Sequence, residues 1–374
     1  MKLRLSTLLL AALFLSSGKS PAQTPAPIRV AIVGLVHGHV GGFLGSLPSH
    51  PELQLVGITD PDAALRQHYI ERTHLPASIF FPTEAEMLRA THPQAILVYT
   101  SIAGHRAAIE QAAPLGIAAM VEKPLATTVD DALAIQQLSE KFHVPVLTNY
   151  ETTWYNSNTA AAKILASGKI GDLRKLVVHD GHRGPKEIGV GPEFLAILTD
   201  PKLNGAGALF DFGCYGVDLA TWIMHGQLPL TVTAVTQQLK PEVYPHVDDD
   251  STIILTYPHA TAIIQGSWNW PFDRKDMEIY GATGYVDTLY ESRDPGAKLR
   301  IRLPGEKEEH IETAPPLTSP NDNSPDYLTA VLRGTLHPDH DLTSLDTNVA
   351  VVRILDAARR SAQTGTTIHL APNR

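Results

Sequence analysis

The sequence is short of sulfur and of basic charge, and each shortage closes off a class of function. Cys214 is the one cysteine, so no internal disulfide can form and no cysteine-built zinc or iron–sulfur centre is available. Lysine and arginine number 30 against 39 aspartates and glutamates, for a net charge of −9; a nucleic-acid binder needs the opposite balance. Past Leu15 no apolar run approaches the roughly 20 residues that span a bilayer. Internal repeats and low-complexity tracts are lacking as well. What remains is ordinary globular composition, 43% hydrophobic over 374 residues, which is enough chain for two domains.

The N-terminus reads as an export signal. Lys2 and Arg4 precede an apolar run from Leu8 to Leu15, and Ser20 and Ala22 are the small residues of a cut before Gln23. No twin arginine precedes the run, which points to the general secretory route. The expectation is a signal peptide over 1–22, a proline-containing tether over 23–27, and a mature protein that is periplasmic or secreted, with no membrane attachment after cleavage.

Two styles of pattern follow. From Ile28 to Tyr150, short apolar runs (Ile28–Val33, Leu53–Ile58, Ala95–Tyr99, Ala118–Val121, Val144–Thr148) alternate with helix-length segments (Gly41–Pro48, Ala63–His74, Glu84–Arg89, His105–Gly116, Val129–Phe142). Buried strands alternating with helices mean a parallel sheet covered on both faces, so 28–150 reads as an α/β Rossmann domain. After it, helix Asn158–Ser167, an alternating strand Leu173–Asp180 and a glycine-flanked helix Ala208–Met224 lead into six short strands between Thr231 and Leu303. That predicts an α+β domain over 151–344 with an open, mostly antiparallel sheet. Pro304–Pro325 reads as a polar surface loop, Asp248-Asp249-Asp250 as a solvated strand start, and Asp326–Arg333 and Leu345–Gln363 as helices. The segment 345–374 is expected to pack back on the first domain. Apolar residues such as Ile253, Leu255, Ile263 and Ile264 suggest a sheet face covered by a second copy, as a homodimer or homotetramer.

Arg29 to Gly34 is a strand ending in glycine, and Leu35-Val36-His37-Gly38-His39-Val40-Gly41-Gly42 leads from it into a helix. A dinucleotide site places G-x-G-x-x-G here, so that backbone can approach a pyrophosphate at a helix N-terminus. Gly34 is in register, Val36 stands where the second glycine belongs, and Gly38 and Gly41 are displaced. Asp60 closes the second strand, where a carboxylate would accept from a ribose diol and repel a 2′-phosphate, favouring NAD over NADP. The alternative is a helix start, with Asp60 as N-cap and Pro61 at the first helical position. His37-Gly38-His39 could hold a metal together with His179 and His182, but the architecture argues against it and no metal is expected.

Two further motifs carry chemistry. Met120-Val121-Glu122-Lys123-Pro124 puts Lys123 directly after a buried strand, where lost hydration would lower its pKa and make it a proton donor or polariser. In the stretch Asn204–Asp218, Asp211, Tyr215 and Asp218 share one helix face, and the cost of Gly213 and Gly216 in a helix, about 1 kcal/mol each, suggests close approach of a cofactor or another helix. With Thr100, His105, Glu122-Lys123-Pro124, Asp211 and Tyr215 in this order and spacing, the chain resembles the Gfo/Idh/MocA oxidoreductase family over nearly all of Ile28 to Arg360.

The resemblance implies a nicotinamide cofactor between the two domains and a sugar or polyol substrate, with Lys123, Asp211 and Tyr215 serving proton transfer. Cofactor-binding candidates are Gly34, Val36, His37, Gly38, His39, Asp60, Thr100, Ser101, His105, Glu122 and Lys123. Substrate-binding candidates are Lys123, Tyr150, Trp154, His182, Asp211 and Tyr215. His179, Trp268 and Trp270 are further aromatic or imidazole groups near the expected cleft, and Arg274 and Lys275 read as a loop or subunit contact. Three activities fit these residues. One is an NAD(P)-dependent oxidoreductase whose cofactor is held tightly, because free cofactor is scarce outside the cytoplasm. The others are a glycosidase or lyase using transient oxidation, and a carbohydrate-binding protein without catalysis.

Overall fold

The computed structural model describes residues 25–289 and 296–370; the expected signal peptide over 1–22 and the start of the expected tether lie outside them. The first half alternates strand and helix: β1 (Ile28–Val33), α1 (His39–Ser46), β2 (Leu53–Thr59), α2 (Ala63–Thr73), β3 (Phe80–Phe81), α3 (Glu84–Thr91), β4 (Ala95–Val98), α4 (His105–Ala112), β5 (Ala118–Glu122), α5 (Val129–Phe142) and β6 (Val146–Asn149). The sheet order β3-β2-β1-β4-β5-β6, with every pair parallel, is that of a Rossmann domain. Apolar residues of each strand alternate between two cores, one under α3, α4 and α5 and one under α1 and α2, so both faces are dry. The order reverses between β1 and β4, and the crevice above that point is where this topology places ligands.

The second half comprises α6 (Asn156–Ala166), β7 (Leu173–Gly181), α7 (Pro192–Leu198), α8 (Pro201–Asn204), α9 (Ala208–Asp211), α10 (Gly213–Ile223), β8 (Thr231–Gln237), β9 (Asp250–Thr256), β10 (Thr261–Ser267), β11 (Arg274–Gly281), β12 (Tyr285–Thr288), β13 (Lys298–Arg302), β14 (His310–Thr313), α11 (Ser324–Leu332), α12 (Leu345–Thr364) and β15 (Ile368–His369). Its 9-stranded sheet runs β14-β13-β12-β11-β7-β10-β9-β8-β15. All pairs are antiparallel except β10 with β7, so the sheet is not a plain meander. Ile253, Leu255 and Ile264 are fully buried in the core that also holds Val217 and Ala220 of α10. They face α10 rather than a second copy, which corrects the reading of these three as a docking face; Ile263 lies on the opposite face, across from exposed Ile254. The open face carries Val235, Ile254 and Tyr280 among charged neighbours, with Ile311 at its edge.

Other boundaries shift for local reasons. The expected single helix Ala208–Met224 is broken at Phe212 into α9 and α10, so Asp211 and Asp218 do not share a face. Asp218 is fully buried inside the domain, where burial keeps its carboxyl protonated far above the usual carboxylate range. Gly213 and Gly216 make room for strands, not for a cofactor. A Cβ on Gly216 would lie 2.4 Å from Ile264 Cγ2, and one on Gly266 would lie 2.8 Å from the Gly213 nitrogen. The stretch read as a loop, Pro304–Pro325, contains β14. Asp248-Asp249-Asp250 is not a solvated strand start: the Asp248 carboxylate accepts from the N–H groups of Gly207 and Leu209 at 2.8 and 2.7 Å, and buried Asp249 accepts from Leu239 and Lys240. Asp248 therefore holds the N-terminus of the short helix that ends in Asp211. Finally, α11 packs into the core beneath α1 and α2, while α12 lies on α5 and β6 of the first domain and on β8 and α10 of the second. The C-terminal helix bridges the domains instead of belonging to one. Among the described residues no helix is long and apolar enough to cross a membrane.

Candidate active site

The crevice above the β1–β4 reversal opens into a cavity of about 970 Å³ walled by both domains. The first domain contributes Leu35, Val36, Gly38 and His39 after β1, Asp62 to Arg72 of α2 and its cap, and Lys123 after β5. The second contributes His182, the segment Pro185–Phe194, Asp211, Phe212, Tyr215 and Lys275.

Lys123 is buried, and its ammonium donates to the Asp211 carboxylate at 2.5 Å and to the Asp211 carbonyl at 2.8 Å. The other Asp211 oxygen accepts from the indole N–H of fully buried Trp268 at 2.9 Å. Burial is the largest influence on Lys123 and would lower its pKa, as its sequence position suggested; the charge and hydrogen bond of Asp211, with Cys214 and Glu122, together outweigh it, so the pKa is raised and the ammonium is kept. Burial likewise opposes ionisation of Asp211, and Lys123 overrides it. Lys123 Nζ lies 4.9 Å from the centre of the Tyr215 ring. Burial, reinforced by the Glu151 carboxylate, pushes the Tyr215 phenol well above its ordinary value, so the resting group carries its proton.

Tyr150 lies beneath Tyr215 with ring centres 5.5 Å apart, edge to face, and is fully buried. It supports that ring and does not line the cavity. Trp154 lies away from the cleft, its indole donating to Asn149 at 3.1 Å and its ring against Tyr327. His182 does line the cavity, edge-on to Phe212, with Nδ1 accepting from the Gly184 N–H. Burial holds His182 below the usual imidazole value. His179 points to the other face of the sheet and pairs with Asp276 at 3.1 Å.

On the phosphate-loop side, Gly34 has φ of +88°, and a Cβ there would lie 2.7 Å from the Thr100 nitrogen; only glycine fits. Asp60 neither caps α2 nor faces the cavity. Its two oxygens accept from the N–H groups of Leu35 and Asp62, each at 2.8 Å, and Asp62 is the N-cap. Asp60 braces the loop, and of the two aspartates Asp62 is the one on the cavity wall. The Thr100 hydroxyl is spent on the Ser101 carbonyl, and Ser101 starts the turn into α4. Buried His37 stacks against Phe194 of the second domain, 4.3 Å between ring centres. His39 pairs with Glu122 at 3.0 Å. Burial opposes the Glu122 charge, but His39, His37 and Lys123 hold its carboxyl down at about 2. His37, His39 and Glu122 bring donor atoms within 4.8 Å of one another.

The residues present fit a dinucleotide. The Leu35 and His37 N–H groups are taken by Asp60 and the Tyr99 carbonyl, leaving those of Val36 and Gly38 for an anionic group at the N-terminus of α1. His105 is fully buried, with Nδ1 on the Leu125 carbonyl and Nε2 without a partner. Burial lowers it to about 4, so it is a neutral imidazole, and it lies behind the cavity wall rather than on it. Glu122 supplies a charged acceptor beside Lys123.

Two site residues, Phe194 and Arg359, escaped the sequence reading, and two more, Lys275 and Trp268, were given other places. Lys275 is the second residue of β11 instead of lying in a loop; it shares a strand face with buried Met277 and Ile279, and a lysine heading an inward-facing row was the available signal. Phe194 lies on a helix too short to show a period. Trp268 had been named only as an aromatic near the cleft. Arg359 of α12 donates to the carbonyls of Thr127 and Gly205, each at 3.2 Å, tying together the two loops that carry Lys123 and Asp211.

Fold and cleft define the class: a Rossmann-type dinucleotide-binding domain closed against an open-sheet domain that brings a tyrosine to a lysine. Residues 28–150 match the family model of the oxidoreductase family with NAD-binding Rossmann fold, and residues 158–287 match the GFO/IDH/MocA C-terminal domain. The chain belongs to the Gfo/Idh/MocA oxidoreductase family. Human trans-1,2-dihydrobenzene-1,2-diol dehydrogenase is 24% identical over 232 residues, 61% of this chain and 64% of that protein. D-apiose dehydrogenase of Rhizobium rhizogenes is 27% identical over 196 residues, 50% of this chain and 53% of that protein. The matched stretches thus span less than two thirds of these relatives' own length. Among solved structures, aldose-aldose oxidoreductase from Caulobacter crescentus covers 92% of this chain and 100% of its own with a TM-score of 0.78 at 21% identity. The NAD⁺ complex of an inositol dehydrogenase homolog from Azotobacter vinelandii covers 93% and 98% with a TM-score of 0.78 at 17% identity. These two share the fold.

Proposed function

We propose that the protein is an NAD-dependent oxidoreductase acting on a hydroxyl-bearing carbon of a sugar or polyol. The observation that carries this is the meeting of Lys123, Asp211 and Tyr215 in one inter-domain cavity beside the phosphate loop. The cofactor, when bound, gives or accepts the hydride at that carbon. Tyr215 exchanges the hydroxyl proton; it holds that proton at rest, the state that donates to a ketone oxygen. Lys123, kept charged by Asp211, polarises the same oxygen. Val36, Gly38 and His39 border the site for the anionic part of the cofactor, and Asp62 lines the end that disfavours a 2′-phosphate. His182 and Lys275 border the substrate.

The curated relatives named above act, by their names, on a dihydrodiol and on apiose, and they support a small carbohydrate or cyclic diol as substrate. The apolar run Leu8–Leu15 and the Ser20–Ala22 cut support export, hence a cofactor retained between turnovers. The exposed Val235 and Ile254 of the open sheet face support a homodimer or homotetramer, read out by light scattering on the mature protein.

The deciding experiment denatures purified mature protein and identifies any released nucleotide, then offers the intact protein free sugars and aryl glycosides. NAD in the extract with net cofactor reduction by a free sugar is expected. Aglycone release without net cofactor change would replace this reading by redox-neutral glycoside cleavage. No nucleotide and no binding of added NAD or NADP would leave a binding protein.

A further inference from the structure

A phenol that must also accept a proton cannot be left with burial and carboxylates alone. The ionised and polar groups around Tyr215 are Lys123 and Glu122 from the end of β5, Glu151 from the turn after β6, Asp211 from α9, Cys214 beside it on α10, Tyr150 beneath it, buried Asp180 of β7 facing Cys214, and His182, held below the usual imidazole value, on the same cavity wall. All of these except Lys123 are neutral or negative and disfavour a phenolate. One more cation is present. Lys275, at the start of β11, places its ammonium 4.8 Å from the centre of the Tyr215 ring and 5.9 Å from that of Phe212. Lys123 stands at 4.9 Å from the same Tyr215 centre, so the second domain supplies a cation as close as the family's motif lysine.

Lys275 is not free to wander. Its side chain is 15% exposed and is paired with Glu151. The ladder fixes its backbone directly across from Asp180 of β7, and Met277 and Ile279, next in its row, are fully buried. Such anchoring is unusual for a surface lysine and holds the charge at the cleft wall, where Lys275 lines the same cavity as Tyr215.

We propose that Lys275 is a positioning residue that sets the protonation of Tyr215, sharing with Lys123 the work of making a phenolate accessible. This rests on Tyr215 being the proton-transfer group proposed above. Two cations at about 5 Å, in a site of low effective dielectric, each favour the ionised ring. Removing one should raise the phenol's midpoint by about 1–2 pH units.

The test needs neither cofactor nor substrate. Incorporating 3,5-difluorotyrosine at position 215 gives one fluorine signal on a ring more acidic than tyrosine, and its shift is followed against pH in otherwise native protein. The expected result is a midpoint raised by about 1–2 pH units in Lys275→Met and restored by Lys275→Arg, with Lys123→Met acting in the same direction. Lys275→Gln replaces Lys275→Met should the latter fail to fold by circular dichroism. A midpoint unmoved by loss of the Lys275 charge would overturn the proposal, as would a shift that Lys275→Arg does not restore. An extract without nucleotide would instead defeat the proposed function, whatever this titration returned.

Discussion

Asp211→Asn removes one charge from the buried Lys123–Asp211 pair while keeping its size. In the native protein the two Asp211 oxygens serve two donors, Lys123 and the Trp268 indole. An asparagine has one acceptor oxygen, so whichever donor keeps it, the other meets an N–H₂ group. Removing one member of a buried pair costs about 3–5 kcal/mol, because the remaining charge is uncompensated. Lys123 can relieve part of this by releasing its proton, so a loss of about 3 kcal/mol at pH 7 is expected in urea unfolding. The sign with pH follows. Without Asp211, burial drives the folded pKa of Lys123 below its unfolded value, so the unfolded state binds more protons and stability rises with pH. The deficit should therefore shrink between pH 7 and pH 10. Adding Lys123→Met removes the orphaned charge and should recover about 2 kcal/mol. A double variant whose loss equals the sum of the single losses, or a deficit unchanged over that pH range, would refute the account of the pair.

Tyr215→Phe and Lys123→Ala should each lower turnover by about 100-fold or more, with Tyr215→Phe keeping its nucleotide content; near-normal rates in either variant would remove that residue from proton transfer. Glu84 is buried at the start of α3, and burial lifts its carboxyl to about 8. Its folded pKa exceeds the unfolded one, so stability is lost progressively as pH rises from the ordinary carboxyl value to about 8. Glu84→Gln should accordingly add about 2–3 kcal/mol at pH 7 and nothing near pH 4; an equal effect at both pH values in chemical unfolding would contradict the cause. Gly216→Ala drives a methyl into Ile264, 2.4 Å from its Cγ2, and should cost about 1–3 kcal/mol despite alanine's better helix propensity. A gain in urea midpoint would show that the strand yields.

The first domain was largely legible from the sequence because its strands are buried on both faces and punctuated by caps. β1 falls on Ile28–Val33 and α5 on Val129–Phe142, the bounds that the pattern of apolar residues predicts. Lys123, Asp211 and Tyr215 were legible because each sits in a local motif. What stayed hidden depends on pairing across the chain. Asp248 looked solvated because three aspartates in a row usually are; its partners, the Gly207 and Leu209 N–H groups, are about forty residues away. The break at Phe212 was masked because α9 and α10 together keep an apolar face long enough for one helix. Asp60 had the right position for a ribose, but the chain turns so that its oxygens meet the Leu35 and Asp62 N–H groups. Lys275 went unrecognised because the alternating pattern reads as a strand only from Asp276, two residues after β11 begins at Arg274, which hid the lysine's membership of the inward row.

Arg359 makes domain alignment and active-site assembly a single event. Its guanidinium grips the Thr127 carbonyl from one domain and the Gly205 carbonyl from the other, a few residues beyond the ammonium and a few before the carboxylate that must touch. A hinge that parted the two halves would pull this clamp and the charged pair together, leaving an ammonium without its counterion and a phenol without its companion. The fit of the two halves and the pairing of their charges thus hang on the same arginine.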